Sequence, residues 1–156
     1  MSIIKTMNDS DYMALAFKEA QKVGKGKEYP VGALIVLNGE VISTARNTAV
    51  EDYDPTSHAE INAIRVACNK IKSHKLKDAI LYTTLYPCPM CEAAITETGI
   101  KKVVYGAEPF VWIREVKFKK GNLEFVGPIL NEECRNIFAE KLRELGRDDI
   151  LNYNGS

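Results

Sequence analysis

"VGALIVLNGEVISTAR", residues 31–46, is the stretch on which the fold turns. Two apolar runs flank Asn38-Gly39, a dipeptide whose residues both tolerate the positive φ of a tight hairpin turn. A β-hairpin is therefore expected here. On its amino-terminal side, Asp9 to about Gly24 places Tyr12, Leu15, Ala16, Ala20 and Val23 at helical spacing, with Asp9 or Ser10 as cap and Gly24 as stop. "GKGKEYP" joins that helix to the hairpin as a loop.

On the other side, the polar run from Asn47 ends at Pro55, which favours extended or turn backbone before a new element. Ser57 to about Ile71 then reads as a helix, with Ile61, Ile64 and Cys68 on one stripe. "AILYTTL" (79–85) reads as a buried strand, "PMCEAAITETG" as a helix and "KKVVYGA" as another strand. After Pro109 come the aromatic and basic "FVWIREVKFKKGN", a short strand-like "LEFVG" and a helix from Asn131 to about Leu145. Strands that alternate with helices after an opening hairpin imply a mixed sheet between helices, in a single domain spanning 1–156 with no internal repeat.

The chain has 156 residues, 46% hydrophobic and 27% charged, which suits one compact core. Lys plus Arg equals Asp plus Glu at 21 each, so the basic excess typical of dedicated nucleic-acid binders is missing. No secretion signal or membrane-length apolar run is evident, and a cytoplasmic protein is expected. In that compartment four cysteines argue poorly for disulfides. Cys68 and Cys134, alone in helical patterns, read as small buried hydrophobes. Cys88 and Cys91, at C-x-x-C spacing, call for a metal or redox explanation.

His58 supplies a third candidate ligand, thirty positions before Cys88. Zinc accepts imidazole nitrogen and thiolate sulfur, and three protein ligands leave a fourth tetrahedral position for a catalytic water. In "PCPMC", Pro89 suits a first helical position, so the two cysteines flank a helix start, where the positive end of the backbone dipole favours thiolates. His58 stands likewise at the start of its own helix. Two helix ends can thus converge on one cation.

Glu60 is the candidate proton shuttle: a carboxylate beside metal-activated water can take its proton and pass it on. Positions 58 and 60 differ by about 200° around a helix axis, so a substrate reaching both must approach the helix end. The same residues also fit an S-x-x-E capping box, with Ser57 as cap and Glu60 reaching back to it. A lone C-x-x-C is equally open to metal, redox or chance. Together, H-x-E and P-C-x-x-C form the signature of zinc deaminases.

With these residues the chain resembles the cytidine-deaminase-like superfamily, in the branch holding tRNA adenosine deaminases, guanine deaminases and fungal-type cytosine deaminases. The similarity runs from roughly Ala14 to Leu145 and rests on "YPVGALIV", "DPTSHAEINAI", "LYTTLYPCPMCEAAI" and "VVYGA". It implies an α/β fold, a three-layer α/β/α sandwich with a five-stranded mixed sheet, one zinc ion per subunit and a homodimer. His58, Cys88 and Cys91 match the family's zinc ligands, and Glu60 its proton shuttle. Asn47 matches the asparagine that hydrogen-bonds the base; a plain turn residue after the hairpin is the lesser alternative.

Within that branch the resemblance points to hydrolytic deamination of an amino-substituted free nucleobase, such as cytosine, guanine or an isocytosine-like aminopyrimidine, with release of ammonia. The tRNA alternative, deamination of the wobble adenosine, is disfavoured by the neutral charge and by "EPFVWIREVKFKK" after the "VVYGA" strand. Tyr86 stands where guanine and tRNA deaminases usually carry glutamate. Phe110 and Trp112 are candidates for an aromatic wall on which a base stacks, or for core packing. Asp148 and Asp149 are candidate substrate contacts from the carboxyl end, or a solvated tail. Lys117, Lys119 and Lys120 read as a solvated face or a phosphate-holding one, and His74 as a surface residue. A noncatalytic zinc-stabilised subunit is the reading from another class, and a Cys88–Cys91 redox pair a third. Glu60, which a purely structural zinc site does not need, argues against the second.

Overall fold

The computed structural model of the protein describes residues 6–108, 110 and 122–151. The elements in order are α1 (Asp9–Gln21), β1 (Gly32–Leu37), β2 (Glu40–Arg46), α2 (Ala59–Ile71), β3 (Ala79–Leu85), α3 (Pro89–Thr98), β4 (Lys102–Ala107), β5 (Glu124–Val126), α4 (Asn131–Glu144) and α5 (Asp148–Leu151). The strands form one five-stranded sheet in the order β2-β1-β3-β4-β5. β1 is antiparallel to both β2 and β3, whereas β3, β4 and β5 run parallel. This is the expected mixed sheet. The hairpin turns at Asn38 (φ 52°) and Gly39 (φ 79°), as the dipeptide predicted.

Strand pleat sends alternate residues to opposite faces, and the helices divide accordingly. On one face, Gly32 lies directly under α1: a Cβ at Gly32 would sit 2.6 Å from the backbone nitrogen of Ala20. Gly106 on β4 likewise lies under α4, where an added Cβ would come within 2.6 Å of Cys134 Sγ. α2 and α3 cover the other face, where Thr83 of β3 meets Glu60 of α2. The result is a three-layer α/β/α sandwich. One cluster centred on Leu34, Ile35, Leu81, Tyr82, Val103 and Val104 fills the space between the layers.

Local details correct the expectations at helix ends. α1 is capped by Asn8, whose side chain accepts from Asp11 N while Asp11 accepts from Asn8 N, rather than by Asp9 or Ser10. The reciprocal pair satisfies two otherwise orphaned amides, which neither alternative cap does. The helix ends at Gln21, short of Val23 and Gly24. In α2 the face against the sheet is Ala59, Ala63 and Ala67, while Ile61, Ile64 and Cys68 are only half-buried. Small residues let the helix axis approach the sheet closely, so the larger apolar stripe lies beside the contact. Cys134 is buried as expected; Cys68 is half-buried. No described helix is long and apolar enough to cross a membrane.

Candidate active site

The site forms where three strand ends meet. Antiparallel pairing sets Gly32 of β1 opposite Arg46 of β2, and Ala33 opposite Thr83 of β3. The start of β1 therefore lies beside the ends of β2 and β3, and the chain leaves β3 there for the α3 amino terminus. Asn47 is pinned to this end by its amide, which donates to Val31 O at 3.0 Å.

His58 is the N-cap of α2 and Cys88 that of α3, both with extended backbone and neither with a side-chain cap bond. Pro89 occupies the first turn of α3, as its fixed φ favours. Both ring and thiol are thus left free to face the space between the two helix ends. Cys88 Sγ and Cys91 Sγ each lie 3.6 Å from His58 Nδ1. All three donor atoms fall within 4.8 Å of one another. A tetrahedral ion about 2.0–2.3 Å from nitrogen and sulfur has ligand-to-ligand edges of roughly 3.5–3.8 Å. The set fits that geometry, and the three residues form a potential zinc site.

Their protonation is coupled. Cys91 donates toward Cys88, and with His58 alongside holds the Cys88 thiol down to about 4. Cys91 is correspondingly pushed up, first by Cys88 and then by burial. His58 is raised, chiefly by its hydrogen bond to Cys88. The two thiols therefore share a proton that a cation would displace.

Glu60, in the first turn of α2, is 4% exposed and turned inward. Burial raises its carboxyl above the ordinary value, opposed by His58 and by Thr83. Oε1 accepts from Thr83 Oγ1 at 3.1 Å, and Oε2 lies 3.6 Å from Cys91 Sγ. The capping box is absent. Ser57 Oγ instead donates to Asp54 Oδ2 at 2.9 Å, one residue too early to cap a helix whose N-cap is His58. Glu60 is consequently free to serve the site.

Beside this group opens a cleft of about 270 Å³. Its polar side is Asn47, His58, Glu60 and Cys88; its apolar side is Tyr29, Val31, Leu85, Tyr86 and Phe138. Two aromatic assemblies make the walls. Phe138 stacks on Tyr29 at 5.3 Å, and Tyr86 stacks on Phe125 at 4.7 Å while meeting Tyr105 edge-on at 5.0 Å. A flat, partly apolar slot with polar groups at one end suits a planar heterocycle.

Phe110 does not reach the cleft. It is 3% exposed and stacks behind Phe138 at 5.0 Å, with the Arg135 guanidinium over its ring. It supports the wall rather than forming it. Asp148 and Asp149 lie exposed on α5 away from the cleft lining, Asp149 being bound to Arg147. Trp112, Lys117, Lys119 and Lys120 lie outside the described residues, and His74 is exposed. Sequence reasoning missed the lining residues Tyr29, Val31, Leu85 and Phe138 and the partners Thr83 and Glu28. Phe138 comes from a distant helix whose pattern shows only amphipathicity; Thr83 sits inside a buried strand; Tyr29 and Glu28 lie in a segment legible only as loop.

The chemistry of this site is that of a zinc-dependent deaminase: a His-Cys-Cys donor set, a buried carboxylate beside it and a slot for a flat base. Residues 6–107 match the cytidine and deoxycytidylate deaminase zinc-binding region, and the chain belongs to that family. The tRNA-specific adenosine deaminase of Bacillus subtilis (strain 168) is 37% identical over 146 residues, 88% of this chain and 90% of that protein. The guanine deaminase of the same organism is 42% identical over 103 residues, 65% of this chain and 66% of that one. A solved structure from a study of A-to-I editing by tRNA:A34 deaminases at the wobble position of transfer RNA matches with TM-score 0.72 at 35% identity. The match covers 81% of this chain and 97% of that one. Hydrolytic deamination with zinc is the activity this membership carries.

Proposed function

We propose that the protein deaminates an adenosine in tRNA, the reaction that was the alternative in the sequence reading, rather than a free nucleobase. The observation that carries it is the near full-length likeness to a tRNA-specific adenosine deaminase, against a guanine deaminase likeness that stops at about two thirds of either chain. The neutral charge and "EPFVWIREVKFKK" led the sequence away from tRNA, and Tyr86 departs from guanine and tRNA deaminases alike. Tyr86 does not block the tRNA reading: it is packed into the wall by Phe125 and Tyr105, and leaves the cleft open beside Asn47 and Glu60. Free-base deamination, of guanine in particular, is the second reading, favoured by the 42% identity over the shared region.

In this proposal His58, Cys88 and Cys91 hold zinc, which when bound supplies the Lewis acidity that makes water nucleophilic near neutral pH. Glu60 would take one proton from the attacking water and pass it to a ring nitrogen of the base, then take the remaining hydroxyl proton and pass it to the amine, which departs as ammonia. Asn47 hydrogen-bonds the base edge, and Tyr29, Tyr86 and Phe138 hold its plane and exclude water. Phe110, Asp148 and Asp149 have no contact role in it. A single domain of residues 1–156, working in the cytoplasm as a homodimer, completes the proposal; sedimentation of the purified protein tests the last point.

The deciding experiment is an ammonia-release panel with zinc-loaded protein: free bases, nucleosides, and an anticodon stem-loop carrying A34. Conversion of A34 to inosine by the wild type, with loss in Glu60→Ala at unchanged zinc content, is expected. Turnover of guanine but not the stem-loop would move the assignment to the second reading. No turnover of any substrate, with the biological activity of the protein unchanged in Glu60→Ala at retained zinc, would point to a noncatalytic subunit.

A further inference from the structure

The loop between α1 and β1 supplies Tyr29 and Val31 to the cleft, yet packing does little to set its first half. Gly24 and Gly26 take positive φ, 62° and 122°, and a Cβ at either would meet nothing within 4 Å. Lys25 and Lys27 are exposed. What reaches this part of the loop is a side chain from α4. Lys141 donates from Nζ to Gly24 O at 2.9 Å and to Gly26 O at 2.8 Å.

Lys141 is 4% exposed and stands in a helix face otherwise made of Cys134, Phe138, Ala139 and Leu142. Burying a lysine is unfavourable unless its three N–H groups find acceptors. Here all three do, the third with Glu144 Oε2 at 3.1 Å. Phe138, three positions earlier and so on the same side of the helix, stacks on Tyr29 at 5.3 Å. α4 thus grips one loop at two points, by a ring at Tyr29 and by an ammonium at Gly24 and Gly26. Stacked rings tolerate an offset, whereas hydrogen bonds to two carbonyls are directional, so the lysine supplies the constraint that the ring lacks.

We propose that Lys141 is a positioning residue for the substrate slot: by holding the Gly24 and Gly26 carbonyls it keeps the loop, and with it the Tyr29 wall, in place before a base arrives. This deepens the deaminase reading and rests on it. A wall that must be ordered by the substrate weakens binding, because the ordering entropy is then charged to association. His58, Glu60, Cys88 and Cys91 stand on α2 and α3, which Lys141 does not touch. Loss of Lys141 therefore acts on KM and spares kcat and the metal.

The test compares Lys141→Ala and Lys141→Met with the wild type, each assayed below its unfolding transition, on the A34 stem-loop, or on guanine if the panel selects it. KM is expected to rise about tenfold in both variants, with kcat within about twofold and zinc content unchanged. n-Propylammonium replaces the atoms that Lys141→Ala removes beyond Cβ, and a groove of about 160 Å³ lined by Gly24, Pro30, Ile137, Lys141 and Glu144 gives it access. It should restore most of the KM of Lys141→Ala in a saturable way. Neither n-propanol nor tetramethylammonium at equal ionic strength should do so, since one lacks the charge and the other the N–H donors.

A readout independent of activity follows the loop itself, which carries two trypsin sites, at Lys25 and Lys27. Native-state trypsin should cut there faster in both variants than in the wild type, and n-propylammonium should slow the cut in Lys141→Ala. Unchanged KM in Lys141→Met, or loop cleavage no faster than in the wild type, would overturn the proposal, and a fall in kcat at constant KM would do the same. Lower thermal stability with unaltered KM would leave Lys141 a stabilising residue only. If the wild type deaminates nothing in the panel, the deaminase reading fails, while loop cleavage and its rescue still decide whether Lys141 holds the loop.

Discussion

Thr83 Oγ1 on β3 lies 3.1 Å from Glu60 Oε1 on α2 and equally 3.1 Å from the carbonyl oxygen of Leu85. A hydroxyl has one proton and two lone pairs, so it can donate to an ionised Glu60, or accept from a protonated one while donating to Leu85. It serves the carboxyl in both of its states. Burial drives Glu60 toward the neutral form, and Thr83 opposes that drive.

Thr83→Val keeps the shape and removes this opposition. The Glu60 carboxyl then rises further above its ordinary value, and because a general base must be ionised, the acid limb of the kcat/KM profile moves to higher pH. A loss of about tenfold near the old acid limb, shrinking toward alkaline pH, is expected. A pH-rate comparison with the wild type checks it; superimposable profiles would remove Thr83 from the mechanism.

The hydrogen bond between Cys88 and Cys91 holds the first thiol low and the second high. Zinc added to metal-free protein at neutral pH should therefore release protons, read in weakly buffered solution, with a smaller release in Cys91→Ser. Cys91→Ser should also bind zinc much more weakly, by at least about tenfold in a competition titration with a chromogenic chelator. Equal proton release by both proteins would remove Cys91 from the groups that zinc deprotonates.

Asp54 organises the loop that delivers His58. It accepts from Thr56 N at 2.9 Å, Thr56 Oγ1 at 2.7 Å and Ser57 Oγ at 2.9 Å, and the Thr56 bonds first hold its carboxyl below the ordinary value. A depressed carboxyl contributes stability that is complete above its unfolded value and is lost as pH falls through the folded one. The stability difference between wild type and Asp54→Asn should be constant above about pH 5 and shrink below about pH 4. Urea unfolding across this range measures it.

Gly32→Ala tests the packing of α1 on the sheet. The new methyl would lie 2.6 Å from Ala20 N and closer still to Ala16 O, and both neighbours are backbone in a regular helix, which cannot yield cheaply. A loss of about 1–3 kcal/mol in unfolding free energy is expected, without selective loss of zinc. Thermal and urea denaturation decide the first point and metal analysis the second.

The metal set was legible because it is local. His58 and Cys88 head their helices, and Pro89 and the C-x-x-C spacing place Cys91 one turn on, so a short motif suffices. The hairpin was legible for the same reason, since Asn38 and Gly39 carry the turn in their own φ preferences. The capping box failed because Ser57 had a competing partner, Asp54, three residues back, and a pattern match cannot weigh competing acceptors. Phe110, open in the sequence between aromatic wall and core packing, lies one layer behind the wall. An aromatic residue after a strand is marked as near the site, but Phe138 from α4 takes the facing position and puts Phe110 behind it.

From its residues alone the chain specified a mixed sheet between helices and a zinc-binding, base-deaminating chemistry, because periodicity and metal-ligand spacing are short-range properties. Tertiary structure alone decided what surrounds that chemistry. Tyr29, Asn47, Tyr86 and Phe138 come from four separate segments and meet only when β1 and β3 pair and α4 folds back over the sheet. Glu28 and Asn47 are 19 residues apart, and their hydrogen bond exists only because the hairpin returns the chain to its starting point. Recognition depends on such long-range contacts, which no local pattern encodes.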